Sequence, residues 1–261
     1  MEGKIKRERI ESVLIFCIAI SLLSCVNPEN NKQFIKGVEP TESSLSDTSF
    51  NDLVGRRYNV ALLLIDGTYN TELTAPMDIF HHTKFREGVK AMNVFTVSNT
   101  NDLVTTFEGL RILPDFNYLD TVPTIDILVI PAGEHNLGND LEDTALIDFI
   151  RETGKKADFV CSHCDGAFLL AKSGLLDDRI STTFPSDIKE FRVMFPELEV
   201  AEDVVLVHDD KFITSAGGAQ SFEASLYLAE ILYGKKVTNE LAQGMVIEWD
   251  IDSIKYLRVE N

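Results

Sequence analysis

Cys164 is the residue in this chain best placed to act as a nucleophile. It stands in the run Asp158-Phe-Val-Cys-Ser-His-Cys-Asp-Gly-Ala-Phe-Leu-Leu-Ala-Lys-Ser-Gly-Leu-Leu176. Phe159 to Cys161 form a short apolar run, Asp165-Gly166 a turn, and Ala167 to Leu176 place apolar residues at helical spacing. A strand that turns at once into a helix holds the corner side chain at the C-terminal edge of a sheet, where open α/β folds bind ligands. The corner also faces the free N–H groups and dipole of the helix start, which favour a thiolate. This is the cysteine form of a nucleophile elbow. The competing reading is a small apolar Cys that closes a buried strand.

Cys161 completes a Cys-x-x-Cys spacing, which invites a redox or zinc reading. Three strand residues separate the Cα atoms by roughly 10 Å, beyond the roughly 7 Å a disulfide allows. Residues three apart on a strand also point to opposite faces. With no second Cys pair in the folded body to complete a zinc site, neither a metal nor a cofactor is expected.

The N-terminus poses a separate question. Lys4, Lys6, Arg7 and Arg9 precede the apolar run Val13–Leu23, too short to span a bilayer comfortably and suited to a signal peptide. Leu22-Leu-Ser-Cys25 resembles a bacterial lipoprotein processing site, with Cys25 as the lipidated residue; a short membrane anchor is the alternative. Residues 1–24 are therefore expected to be a leader. The protein is then expected to be exported and lipid-anchored, on the periplasmic or cell-surface side. The leader carries four Lys/Arg against three Glu, so its removal takes the net charge from −18 to −19. So acidic a body argues against nucleic acid and for solubility.

Residues 25–54 are rich in Ser, Thr, Asn, Asp and Glu without apolar periodicity, and read as a flexible tether. A single domain is expected over residues 55–246. Strand-like runs recur at Val60–Ile65, Val94–Val97, Ile127–Ile130, Phe159–Cys161, Val204–Val207 and Phe212–Thr214. Helical stretches at Ala75–Thr83, Leu141–Thr153 and Gly166–Leu176 alternate with the first four, and two more follow at about Ser221–Tyr233 and Val237–Met245. This alternation predicts an α/β fold with a mainly parallel sheet and helices on both faces. His208-Asp-Asp-Lys211 predicts one antiparallel hairpin, with His208 in its turn. Residues 247–261, with Trp249 and Tyr256, form a tail expected to pack on the domain or on a partner.

Ile127-Leu-Val-Ile-Pro-Ala-Gly133, the Cys164-Asp-Gly-Ala-Phe-Leu-Leu corner and Ile213-Thr-Ser-Ala-Gly-Gly-Ala-Gln-Ser-Phe-Glu223 together resemble the ThiJ/PfpI superfamily. Thr71-Glu-Leu-Thr-Ala-Pro-Met-Asp-Ile-Phe80 resembles the branch with isonitrile hydratases and the ligand domains of AraC-type regulators. The resemblance covers about residues 57–236 and implies a flavodoxin-like three-layer sandwich, shared with class I glutamine amidotransferases. It matches Glu72 to the acidic residue beside the nucleophilic cysteine; a plain helix-start acid is the alternative. Gly133 and the Asp165 N–H fall where an oxyanion hole would form. Gly217 and Gly218 fall where backbone would approach the site, although simple turn chemistry also accounts for them.

One departure stands out. Relatives often carry His in a Thr-Thr-His sequence after the elbow helix, whereas Ser181-Thr-Thr-Phe-Pro185 puts Phe184 there. His135, in the loop after Gly133, is the best-placed substitute base, with a plain loop role beside it. His163 is expected to point away from Cys164. Asp165 either caps the helix or raises the thiol pKa by its charge.

Two functions follow from the resemblance. One is a cysteine-dependent hydrolase or hydratase acting on a small carbonyl or isonitrile-like electrophile, with Cys164 as nucleophile and Glu72 as acid/base. The thiol is then expected to be acidified by the helix start and by Glu72. The other is a non-catalytic ligand-binding or sensor domain using the same pocket. The expected partners are a small molecule and a membrane through the N-terminal lipid, with a homodimer left open.

Overall fold

The computed structural model describes residues 57–260. The leader and the whole tether, Cys25 included, lie outside the described residues. In chain order the elements are β1 (Asn59–Leu63), α1 (Asn70–His81), β2 (Asn93–Ser98), β3 (Val104–Thr105), β4 (Arg111–Ile112), β5 (Phe116–Asn117) and β6 (Ile127–Ile130). Next come α2 (Thr144–Lys156), β7 (Phe159–His163), α3 (Gly166–Lys172), β8 (Ile180–Ser181), α4 (Ile188–Met194) and β9 (Glu199–Val200). The last are β10 (Leu206–Asp209), β11 (Phe212–Ser215), α5 (Ser221–Gly244) and β12 (Tyr256–Arg258).

Apolar runs without alternation become central strands because both faces of the sheet are covered. In β1 and the residues after it, Val60, Leu62 and Leu64 pack with Leu73, Ile79 and Phe80 of α1 and with Leu226 and Leu228 of α5. Ala61, Leu63 and Ile65 point the other way, to Leu146 and Ile150 of α2, Phe168 of α3 and Phe191 of α4. The eight-stranded sheet has the order β12-β10-β11-β7-β6-β1-β2-β5. The β10–β11 pair is antiparallel and every other pair in the sheet is parallel. This is the mainly parallel α/β architecture expected from the alternation, in the flavodoxin-like form that the resemblance implies. It places the ends of β1, β6, β7 and β11 along one edge.

Several local expectations change. α1 begins at Asn70, five residues before its apolar periodicity, so Glu72 lies in its first turn. The two expected C-terminal helices are both present within α5, separated at the non-helical Gly234 (φ +77°). The segment after residue 246 supplies β12 at the sheet edge, and Trp249 Nε1 donates to Glu230 Oε2 at 2.6 Å. His208 is no turn residue: it is buried within β10 with Nδ1 2.9 Å from the Tyr227 hydroxyl. Among the described residues no helix is long and apolar enough to cross a membrane.

Candidate active site

The corner between β7 and α3 forces Cys164 into the left-handed region at φ +52°. That conformation costs a non-glycine residue on the order of 1–3 kcal/mol and persists only where its surroundings over-determine it. Here the Cys164 N–H donates to Ser215 O at 2.9 Å, and the Thr183 hydroxyl donates to Cys164 O at 3.0 Å. Two glycines make room for the corner. A Cβ on Gly166 would lie 2.2 Å from Ile130 O, and one on Gly217 would lie 2.3 Å from Cys164 Cβ. Only residues without side chains let α3 start against the end of β6 and the β11 loop press on the corner.

Glu72 reaches the same place from α1 and is 5% exposed. Its Oε2 accepts from Ala132 N at 3.2 Å and its Oε1 from Gly218 N at 3.0 Å. Its carboxyl also faces the Cys164 thiol closely enough that each shifts the other's pKa. Three chain segments far apart in sequence thus hold one carboxyl against one sulfur. Burial pushes the Glu72 pKa up, and the two N–H groups and the thiol draw it part of the way back.

The sulfur itself departs from expectation. Burial raises the Cys164 pKa, and the Glu72 and Asp165 charges raise it further, against a hydrogen bond from the Asp165 N–H that lowers it. With no imidazolium or other cation among its principal partners, the resting thiol is protonated. Cys161 is pushed up to about 12 by burial alone, and both cysteines are free and buried.

Three further assignments change. The Gly133 N–H donates to Asn136 Oδ1 at 2.6 Å and is not free for an oxyanion. Asp165 makes no side-chain cap on α3; its Oδ1 accepts from Thr183 Oγ1 at 3.3 Å. Burial first, then the neighbouring Asp187 charge, push Asp165 up to about 7. His135 is half-exposed beside Glu134 at 3.9 Å and takes no part in the interactions of Cys164 or Glu72. Phe184, half-exposed, follows Thr183 past the corner.

Thr183, Asp187, Ala132 and Tyr69 join the site without having been singled out by sequence. Tyr69 immediately precedes α1, and its phenol is raised first by burial and then by Cys164, Asp165, Glu72 and Glu134. Its ring lies 4.7 Å from that of Phe107 in the β3–β4 turn. The Ser181–Pro185 stretch carried the missing signal. Its second Thr mattered more than the absent histidine.

The buried His163 has its Nδ1 2.8 Å from Ser215 Oγ. Burial lowers His163 and His208 from 6.5 to about 4. A depressed folded-state pKa contributes stability above 6.5 that is lost as pH falls towards 4, up to about 3 kcal/mol for each ring. Asp165, raised, works in the opposite direction between 3.8 and about 7. Urea midpoints should therefore fall steeply between pH 6 and 4, and less steeply in the His163→Gln/His208→Gln protein. An unchanged slope in that double variant would refute this account.

The profile of the DJ-1/PfpI family matches residues 58–231, from the start of β1 into α5. The chain belongs to the DJ-1/PfpI family. It is 27% identical over 199 residues to Protein dj-1beta of Drosophila melanogaster, covering 72% of this chain and 97% of that protein. It is 28% identical over 177 residues to the isonitrile hydratase of Pseudomonas putida, covering 67% of this chain and 72% of that protein. Among solved structures, a ThiJ/PfpI family protein from Pseudomonas syringae superposes with a TM-score of 0.66 at 20% identity. That match covers 81% of this chain and 84% of the other. The family's members include enzymes, and the corner carrying Cys164 lies within the matched residues.

Proposed function

We propose that the protein is a cysteine-dependent hydrolase or hydratase for a small, uncharged electrophile of the carbonyl or isonitrile type. The observation that carries this reading is the buried Glu72 carboxyl, held by the Ala132 and Gly218 N–H groups beside the Cys164 thiol at a strained corner. In the proposed step the sulfur adds to the electrophilic carbon while its proton passes to Glu72. With an isonitrile the terminal carbon takes that proton back from Glu72, giving a thioimidate; water adds to its C=N carbon, the nitrogen taking one water proton, and the formamide forms as the thiol leaves with the other. With an acyl compound the carbonyl oxygen takes up the electron pair, the leaving group departs with the proton from Glu72 to give a thioester, and water hydrolyses the thioester and regenerates the thiol. Glu72 is suited to both transfers because burial raises its pKa towards the working range. The Asp165 N–H, already facing the sulfur, is the donor available to a developing negative charge. The similarity to an isonitrile hydratase supports the reaction class.

The principal charges acting on Cys164, Glu72, Asp165 and Tyr69 are acidic. That field disfavours an anionic substrate. A panel of isonitriles and small aldehydes, followed by product analysis and intact mass, tests the reading. Turnover of at least one uncharged compound, lost in Cys164→Ser, is the expected result. Iodoacetamide should also modify Cys164 faster than iodoacetate by more than their ratio on free cysteine. A second reading, a ligand-binding or sensor domain, draws on the raised thiol pKa and the absent histidine. Saturable binding with neither turnover nor a Cys164 adduct would establish it instead.

A further inference from the structure

The hairpin that joins β3 to β4 is bonded along its length to the segment leading from β1 into α1. Gly67 N donates to Thr105 O at 2.9 Å, Phe107 N to Thr68 O at 3.0 Å, and Asn70 N to Glu108 Oε2 at 2.9 Å. Thr105 N donates in turn to Asp66 Oδ1 at 2.9 Å. Each partner is also pinned within itself. Thr106 N donates to Leu110 O at 2.8 Å and Leu110 N to Thr106 Oγ1 at 2.9 Å, while Thr68 Oγ1 donates to Ile65 O at 2.7 Å. The segment before α1 is tied in the same way to the reactive edge of the sheet. Tyr69 N donates to Ala132 O at 2.9 Å, and Thr68 forms a bridge with Gly133. Strands β6 and β7 pair Ile130 with Ser162, and two residues further on in each lie Ala132 and Cys164. Ala132 also gives its N–H to Glu72. Tyr69 and Glu72 thus share one anchor beside the sulfur.

Phe107 is the member of this array that the core does not account for. It is 51% exposed, it belongs to neither core cluster, and its ring lies 4.7 Å from that of Tyr69 with the planes inclined at 49°. A rigid turn therefore holds an apolar ring half in water, against a second ring anchored at the reactive edge. That arrangement leaves aromatic surface for a third group to cover, and because the rings are fixed beforehand little is lost in ordering them. We propose that Tyr69 and Phe107 form an aromatic wall that selects, among uncharged electrophiles, those whose substituent is a flat aromatic ring. The proposal rests on Cys164 being the nucleophile of the site. Both residues determine specificity and take no part in bond making. Burial and the acids around it keep the Tyr69 phenol protonated, so the wall itself carries no charge.

Second-order rates of Cys164 alkylation by N-benzyl-, N-cyclohexyl- and N-methyl-iodoacetamide, each divided by the rate on free cysteine, read the wall without requiring turnover. The benzyl-to-methyl ratio in the parent protein should be about tenfold, with cyclohexyl between the two. It should fall towards one in Phe107→Ala and in Tyr69→Ala. Phe107→Tyr and Tyr69→Phe keep the rings and should keep the ratio. A hairpin that only braces the start of α1 would slow all three probes together when Phe107 is truncated and leave the ratio as it was. That result, or a ratio near one in the parent protein, overturns the proposal. A changed oligomeric mass in Phe107→Ala at an unchanged ratio assigns the ring to a second copy of the chain and overturns it too. The kcat/KM values for benzyl and methyl isonitrile should follow the same ratio. A benzyl preference in alkylation without turnover of any isonitrile or aldehyde would defeat the functional reading while leaving the wall standing. Turnover with no preference for a ring would do the reverse.

Discussion

Glu72→Gln is expected to lower turnover by about a hundredfold or more while leaving Cys164 alkylation unchanged or faster. The two readouts part because they need different things. Alkylation needs only thiolate, and the Glu72 charge raises the thiol pKa, so its removal eases ionisation. Turnover needs a group that takes the thiol proton and returns it to the substrate, a contribution typically worth about 10²–10⁴ in rate. Gln cannot perform that transfer. The substitution also changes the hydrogen bonds: the carboxylate accepts from Ala132 N and Gly218 N on separate oxygens, whereas an amide has one oxygen. One buried N–H then faces an NH₂ group, at a cost of about 1–3 kcal/mol. Thermal midpoints measured alongside separate this cost from the kinetic effect. Turnover that survives in Glu72→Gln would remove Glu72 from the mechanism.

Gly217→Ala should be among the most damaging single changes in the molecule. Gly217 sits at φ +76° and ψ −158°, a region open essentially to glycine alone. An added Cβ would come within 2.3 Å of Cys164 Cβ, 2.6 Å of its nitrogen and 2.8 Å of its Cα. These are backbone and Cβ atoms of a corner already pinned by Ser215 and Thr183, so they cannot step aside as a flexible side chain would. Backbone strain and overpacking together should cost about 3–5 kcal/mol, read as a loss of urea midpoint. The corner in the folded fraction should also shift, so Cys164 reactivity should fall beyond what the loss of stability explains. Gly218→Ala is the internal comparison. Its φ is +56° and its Cβ would meet nothing within 4 Å, so about 1 kcal/mol is expected. Equal losses from the two substitutions would disprove the close-approach argument.

Much of this molecule is readable in its sequence because burial in a sheet is a local pattern. The unalternated runs around Val60, Ile127 and Phe159 mark strands covered on both faces, and the helical spacing between them marks the covers. The step from Phe159–Cys161 through Asp165-Gly166 to an apolar helix puts Cys164 at a corner whatever the rest of the chain does. His208-Asp-Asp-Lys211 declares its hairpin. By contrast, β5 and β12 are two and three residues long and lie at the sheet edges, so they carry no period for a sequence to show.

The state of the site was decided by tertiary structure. A helix start beside a thiol argues for thiolate, yet burial and the charges of Glu72 and Asp165 outweigh it. Glu72 arrives from a helix that begins more than ninety residues earlier. Asp165 has the residue type and place of a helix cap, but its carboxyl takes the Thr183 hydroxyl instead. Gly133 keeps its position after β6, but Asn136 takes its N–H. Residue type and spacing determine where the chain runs and which side chains reach the sheet edge. Protonation and hydrogen-bond partners depend on the dielectric and the neighbours that other segments bring within a few ångströms, and only the folded arrangement supplies those.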